Sequence, residues 1–223
     1  MMHSEKLRAG LAGLGLNLSS CQQKQLLDYL AMIAKWNKVY NLTAIRDADE
    51  MITHHLLDSL AVIAPLQRHL GGLQTNTGAA YRLLDVGAGA GLPGVVIAIC
   101  CPDILVVCVD AVGKKAAFIQ QAALALNLVN LRGVHARVEQ MPPVDVRDGF
   151  DVITSRAFAA LTDFVDLTAS LLVPKRGVWM AMKAKTVSAE AAVLPVGVAV
   201  FHVEQLNIPD LNEDRCLVWM RAS

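Results

Sequence analysis

Gly87, Gly89, Gly91 and Gly94 crowd the stretch Asp85-Val86-Gly87-Ala88-Gly89-Ala90-Gly91-Leu92-Pro93-Gly94, directly behind the apolar pair Leu83 and Leu84. Glycine lets a backbone turn sharply and approach a ligand closely. Pro93 stands where the first turn of a following helix accepts it. The unpaired N–H groups of that helix end point toward whatever the loop holds. Gly89-x-Gly91-x-x-Gly94 matches the dinucleotide pattern, which alone is a weak signal. Asp110, at the end of the next apolar run, strengthens it, because a carboxylate there accepts hydrogen bonds from two ribose hydroxyls. Loop and acid together point to a nucleoside cofactor.

Asp85 narrows the choice. A carboxylate just before the first glycine suits a cationic group, such as the amino group of S-adenosylmethionine, and repels a pyrophosphate. Gly113-Lys114-Lys115 lacks the upstream glycine of a P-loop. None of Tyr29, Tyr40 and Tyr81 is followed by a lysine four residues on, so the Tyr-x-x-x-Lys pair of short-chain dehydrogenases is missing. The chain also leaves little room for a second substrate domain. S-adenosylmethionine therefore ranks above a nicotinamide.

Arg156 is the second candidate group. It follows a strand that ends where open parallel sheets bind ligands. It is expected to contact the guanine edge, a phosphate or the methionine carboxylate of the donor; the bland alternative is a structural ion pair, for instance to Asp151 or Asp163. His54 and His55 invite a metal reading, but His55 and Asp58 are one helical turn apart and a local hydrogen bond is expected instead. No metal site is expected. Trp36 and Tyr40, at i and i+4, read as packing. Cys100-Cys101 reads as packing too, and the odd total of 5 cysteines without C-x-x-C spacing argues against zinc or a disulfide frame.

The elements that must position these groups follow from periodicity. Residues 1–70 read as a helical extension. Ser20 with Gln23 has capping-box spacing before Leu26, Leu30 and Ile33. Asp47 with Glu50 marks a second start before Ile52, Leu56, Leu60 and Ile63. Residues 71–80 are small and polar, a surface connection. From 71 to 223 short apolar runs alternate with helix-length segments. Strands are expected near 81–86, 104–110, 131–135, 150–155, 177–183, 198–206 and 214–221, and helices near 92–100, 114–127 and 160–172. Such alternation implies crossovers and a parallel sheet. The last two strands, joined by 207–213 alone, are expected to pair antiparallel at one edge. The fold class is thus α/β, Rossmann-like, a seven-stranded mostly parallel sheet whose last strand is antiparallel.

Composition sets limits. The 223 residues are 54% hydrophobic and 18% charged, which excludes global disorder. Lys+Arg and Asp+Glu both total 20, so steering by net charge is excluded and any nucleic-acid contact must be a local patch. Small basic clusters exist at Lys35 and Lys38, Lys114 and Lys115, Arg132 and Arg137, and Lys175, Arg176, Lys183 and Lys185. The longest charge-free run, Val86 to Pro102, is broken by glycines and prolines, so no membrane span is expected despite a mean hydropathy of +0.42. No signal peptide is visible, and a cytoplasmic monomer is the expectation.

Several strings together resemble one family, the bacterial small-subunit rRNA methyltransferase G family, also called glucose-inhibited division protein B. They are Trp36-Asn37-Lys38-Val39-Tyr40-Asn41-Leu42-Thr43, His55-x-x-Asp58-Ser59, Asp85 through Gly94, Arg137-Val138-Glu139 and Ser155-Arg156-Ala157-Phe158-Ala159. The likeness spans about residues 20 to 221. It departs at Lys183-Ala184, where Lys-Gly is common. The resemblance implies a class I S-adenosylmethionine-dependent methyltransferase acting on 16S rRNA, free or in the small ribosomal subunit or an assembly particle. It implies transfer to N7 of one guanine in the decoding-region loop. Gly87 and Leu92 would line the cofactor loop, with Asp85, Gly89, Gly91 and Asp110; Val138 and Glu139 would flank the adenine. Arg156 would reach the active-site mouth as the candidate catalytic residue and also as a cofactor-binding residue.

The acceptor chemistry agrees with that implication. Transfer to an exocyclic amine usually comes with Asn/Asp-Pro-Pro-aromatic after the fourth strand, where this chain has Thr154-Ser155-Arg156-Ala157-Phe158. Transfer to cytosine C5 needs a reactive thiolate. Guanine N7 has an in-plane lone pair and no proton, so orientation suffices and no general base is required. Two other classes stay open: a small-molecule or protein methyltransferase of the same fold, and a non-catalytic S-adenosylmethionine-binding protein.

Overall fold

The computed structural model describes residues 2–72, 80–141, 146, 148–156, 160–184 and 187–222. Most of the 71–80 connection and the Ala157-Phe158-Ala159 and Lys185 positions lie outside the described residues.

The chain begins with α1 (Met2–Gly13) and α2 (Ser20–Tyr40). The capping box of α2 is one residue earlier than expected: the Ser19 Oγ accepts from Gln22 N–H at 3.2 Å, and the Ser19 N–H donates to Gln22 Oε1 at 3.0 Å. Two serines followed by two glutamines satisfy the spacing twice. Gln22 also donates to the Ile99 carbonyl at 2.9 Å, a distant partner that selects this register. Leu26, Leu30 and Ile33 are buried as expected.

Asp47 caps the next segment by accepting from the N–H groups of Asp49 and Glu50. That segment is not one α-helix. It runs through α3 (Ala48–Met51), a π-helical turn (Ile52–Leu57), α4 (Asp58–Leu60) and α5 (Ile63–Gly71). Ile52, Leu56, Leu60 and Ile63 are all buried.

The sheet has seven strands: β1 (Tyr81–Val86), β2 (Ile104–Asp110), β3 (Leu131–His135), β4 (Val152–Ser155), β5 (Val178–Lys183), β6 (Val198–Gln205) and β7 (Cys216–Ala222), in the order β3-β2-β1-β4-β5-β7-β6. The first five are parallel, and β7 is antiparallel to both β5 and β6. The expected strand and helix positions hold to within two or three residues, except that the helix expected over 160–172 ends at Thr168 and continues as a 3-10 turn, Ala169–Leu171. Among the described residues the sheet is flanked by helices α6 (Gly94–Cys100), α7 (Gly113–Ala125), α8 (Leu161–Thr168) and α9 (Ser188–Ala191).

Alternation along β1 divides the core. Leu83 belongs to the apolar cluster that includes the N-terminal helices and α6, whereas Leu84 and Val86 join a second cluster with Phe164 of α8. The helical extension thus covers one face of the sheet, and both faces are buried, as parallel strands require.

Candidate active site

β1 ends at Val86, and the chain turns at Gly87 (φ 64°) and Gly89 (φ 61°), in the left-handed region that favours glycine. The Gly89 N–H donates to Asp110 Oδ2 at 2.8 Å, and the Val112 N–H donates to Asp110 Oδ1 at 2.8 Å. Asp110 therefore ties the glycine loop to the end of β2 while it sits at the edge of a cavity. That cavity, about 210 Å3, is lined by Val86, Gly87, Asp110, Arg137, Val138 and Glu139, among others. Val138 is buried, and Glu139 stands on the rim, 4.0 Å from Arg137. A Cβ placed on Gly89 would meet only the Gly87 carbonyl, at 4.0 Å, so the loop faces open space. A largely apolar slot with Asp110 at one edge and Glu139 on the rim has the shape and chemistry for a nucleoside.

Asp85, Gly91 and Leu92 lie behind that cavity. Asp85 is fully buried; its Oδ2 accepts from the Gly94 N–H at 2.8 Å, and Oδ1 has no donor among the described residues. Burial pushes its carboxyl up to about 7, against the Gly94 hydrogen bond and the Arg156 charge, which favour the ionised form. A Cβ on Gly94 would lie 2.3 Å from Cys108 Sγ, so the helix end packs directly on β2. Gly91 (φ 89°) turns its bare Cα toward Val95 and Ile119. The Tyr29 hydroxyl of α2 donates to the Ala90 carbonyl at 2.5 Å. That link between the extension and the loop carries no sequence signal beyond an apolar helix face.

Arg156 lines a second cavity, about 220 Å3, with His54, His55, Asp58, Lys183 and Arg215. Its ion-pair partner is neither Asp151 nor Asp163. Nη1 donates to Asp58 Oδ2 at 3.1 Å and to the His54 carbonyl at 2.9 Å. Asp151 instead contacts Arg176 at 2.9 Å. Sheet register assembles this cavity: Ser155 pairs with Ala181 and Lys183 pairs with Cys216, so Arg156, Lys183 and Arg215 end neighbouring strands. Sequence reading missed Arg215, whose Nε donates to Asp58 Oδ1 at 3.2 Å.

The expected local hydrogen bond between His55 and Asp58 is absent, because the π-helical turn breaks the i, i+3 spacing of an α-helix. His55 Nε2 pairs with Thr43 Oγ1 at 2.9 Å. Burial, then the Arg156 charge, lowers His55 to about 4. Burial raises Cys101 to about 11 and Cys100 further still, so neither is a ready nucleophile. Among the described residues, no group of three or more His, Cys, Asp or Glu could hold a metal, and no helix is long and apolar enough to cross a membrane. Trp36 packs on Tyr40 and Phe118, with ring centroids 5.1 and 5.4 Å away. Of the basic clusters, only Arg137 and Lys183 line these two cavities among the described residues.

The strand order, the glycine loop at the end of β1 and the acid at the end of β2 define a class I S-adenosylmethionine-dependent methyltransferase fold. Solved structures with this fold include TrmN from Thermus thermophilus, 19% identical, TM-score 0.55, over 73% of this chain and 48% of that one. A S-adenosylmethionine-dependent methyltransferase from Aquifex aeolicus is 14% identical, TM-score 0.51, over 73% of this chain and 92% of that one. The sequence profile of GidB, rRNA small subunit methyltransferase G, matches residues 22–218, and the chain belongs to that family. Relatives named ribosomal RNA small subunit methyltransferase G include one from Paracidovorax citrulli, 57% identical over 98% of this chain and 89% of its own length. Another, from a Polaromonas species (strain JS666), is 60% identical over 98% of this chain and 93% of its own length. The chain is an enzyme, a methyltransferase of this family.

Proposed function

We propose that this enzyme transfers a methyl group to N7 of a guanine in the decoding-region loop of 16S rRNA. The observation that carries this reading concerns the acids at the glycine-loop cavity among the described residues: Asp110 is held by two backbone N–H groups, Asp85 is sealed behind the loop, and Glu139 stands on the rim, where it would flank the adenine. An acceptor that must lose a proton would need a base there; guanine N7 does not. Gly87, Asp110, Val138 and Glu139 would hold the nucleoside of S-adenosylmethionine, which when bound supplies an electrophilic methyl on sulfonium sulfur. The Asp110 carboxylate has lone pairs left for ribose hydroxyls. Asp85, beneath the loop, would act as a counter-charge to the cationic end of the donor when it is ionised. The chain's work is then to orient two ligands and exclude water, with Arg156 beside the acceptor.

The relatives' names support small-subunit rRNA as the acceptor class. Labelled S-adenosylmethionine with 30S subunits or naked 16S rRNA lacking the mark tests the reading. Label at a single guanine N7, found by strand scission after reduction, is expected. Label on an exocyclic amine, or on small molecules only, would overturn it.

A further inference from the structure

The lysines of α2 and α7 stand outside both cavities, and none of the chemistry above uses them. The stretches Tyr29 to Arg46 and Ala111 to Val138 contain no acidic residue, in a chain with 20. The fold brings the two stretches together. Gln25, early in α2, donates to the Leu126 carbonyl just past the end of α7 at 2.8 Å, whereas Trp36, late in α2, packs on Phe118 in the first half of α7 with ring centroids 5.4 Å apart. The helices therefore run antiparallel, and the last turn of α2 lies at the same end as the first turn of α7. That end is the reactive end of the sheet. α7 begins directly after Val112, whose N–H holds Asp110, and Ala111 lines the nucleoside cavity. Lys35 and Lys38, one turn apart on α2, are exposed, as is Lys114 at the start of α7. None of the three forms an ion pair or hydrogen bond among the described residues, and the nearest acid on α2, Asp28, is taken by Lys24 at 2.6 Å.

Aromatic surface accompanies the charge. Tyr40 leans on Trp36, with centroids 5.1 Å apart and planes at 37°, yet remains 40% exposed; Val39 beside it is 71% exposed. A ring backed by another ring keeps its place and offers its outer face. Lysines around such a ring suit a strand that alternates phosphates with planar bases. The Tyr29 bond to the Ala90 carbonyl ties the same helix to the glycine loop, so anything docked on α2 is held at a fixed position relative to the donor. We propose that the end of α2 and the first turn of α7 form a docking ridge for the single-stranded RNA flanking the target guanine. Lys35, Lys38 and Lys114 take backbone phosphates, and Tyr40 stacks on one base. These residues touch no reacting atom, so they set RNA affinity and leave the chemical step alone. The proposal rests on the rRNA reading above and names the part of the chain that grips that RNA.

The test uses the full-length enzyme and small subunits lacking the mark, with binding measured across a salt series and methyl transfer in parallel. The triple variant Lys35→Gln, Lys38→Gln, Lys114→Gln should lower the slope of log affinity against log salt by about two, since each phosphate contact on a single strand contributes about 0.7. Its KM for subunits should rise about tenfold or more, with kcat and S-adenosylmethionine affinity unchanged. Tyr40→Ala should cost about tenfold in affinity with the slope intact, and Tyr40→Phe much less. Lys24→Gln, at the other end of α2, should leave the slope as it is. Thermal melts confirm that these exposed substitutions leave the fold intact. Val39→Cys in a Cys21→Ser background puts one exposed thiol on the ridge, because the remaining cysteines are buried. A photo-cross-linker attached there should tag 16S rRNA. A tag on ribosomal protein alone gives the ridge to a protein partner and overturns the proposal. An unchanged slope in the triple variant overturns it too, and transfer to guanine N7 by the wild type then leaves the proposed function standing. A lowered slope and an rRNA tag without any transfer to N7 keep the docking ridge and remove that function. A wild type that binds no small subunits overturns the ridge.

Discussion

Asp85 and His55 both sit buried near Arg156, yet burial moves their titrations in opposite directions. Asp85 titrates near 7 when folded, above its ordinary 3.8. Its contribution to stability is full below the ordinary value and is lost as pH rises through about 7. His55 titrates near 4 when folded, below its ordinary 6.5. Its contribution is full above the ordinary value and is lost as pH falls through about 4. Between about pH 4 and 6.5 the two therefore offset each other. Relative to wild type, Asp85→Asn should gain stability as pH rises from 4 to 7, and His55→Gln should gain as pH falls from 6.5 to 4. Each change should be on the order of 2 kcal/mol across its window. Urea unfolding at pH 4.5, 5.5, 6.5 and 7.5 measures both. Parallel profiles for the two variants would refute the opposed assignment.

At the scale of elements, α2 acts as more than a lid on the core. Its Tyr29 reaches the glycine loop through the Ala90 carbonyl, and Tyr29 is fully buried against Phe118 of α7. Tyr29→Phe keeps the ring and deletes the donor, leaving that carbonyl unpaired in the core. The expected cost is about 1–3 kcal/mol of stability, with weaker S-adenosylmethionine binding because Gly89 and Gly91 flank the released residue. Denaturant melts and titration calorimetry read the two effects. Donor affinity equal to wild type would mean that the loop keeps its shape without α2. The π-turn at Ile52–Leu57 is the other element with a consequence, since it frees Asp58 from His55 and presents it to Arg156 and Arg215.

The whole molecule shares one apolar core across both parts of the chain. A single cluster joins Leu7 and Leu11 of α1, Leu26 and Ile33 of α2, and Leu57 to Val95 and Val106 near the sheet. Segments 1–70 and 71–223 should therefore unfold together. Calorimetry should give one transition whose calorimetric and van't Hoff enthalpies agree. Two separated transitions would show the extension to be an independent unit.

Much of this architecture was legible before any coordinates. Strand limits such as 81–86, 104–110 and 131–135 were readable because short apolar runs between helix-length segments are local properties of the chain. The loop at Gly87–Gly94 and the acid at Asp110 were legible for the same reason, since each demands a residue type at one backbone position. Asp110's second role, bonding the Gly89 and Val112 N–H groups, needed the loop's folded path.

What the sequence by itself determined is the order of elements, the glycine loop and the family strings, all encoded by neighbours along the chain. Only the tertiary structure decided that Asp85 is sealed behind the loop, that Asp58 joins Arg156 to Arg215, and that Ser19 rather than Ser20 caps α2. Those outcomes depend on groups tens to more than a hundred residues apart, brought together by strand register and by the cost of leaving buried polar atoms unpaired.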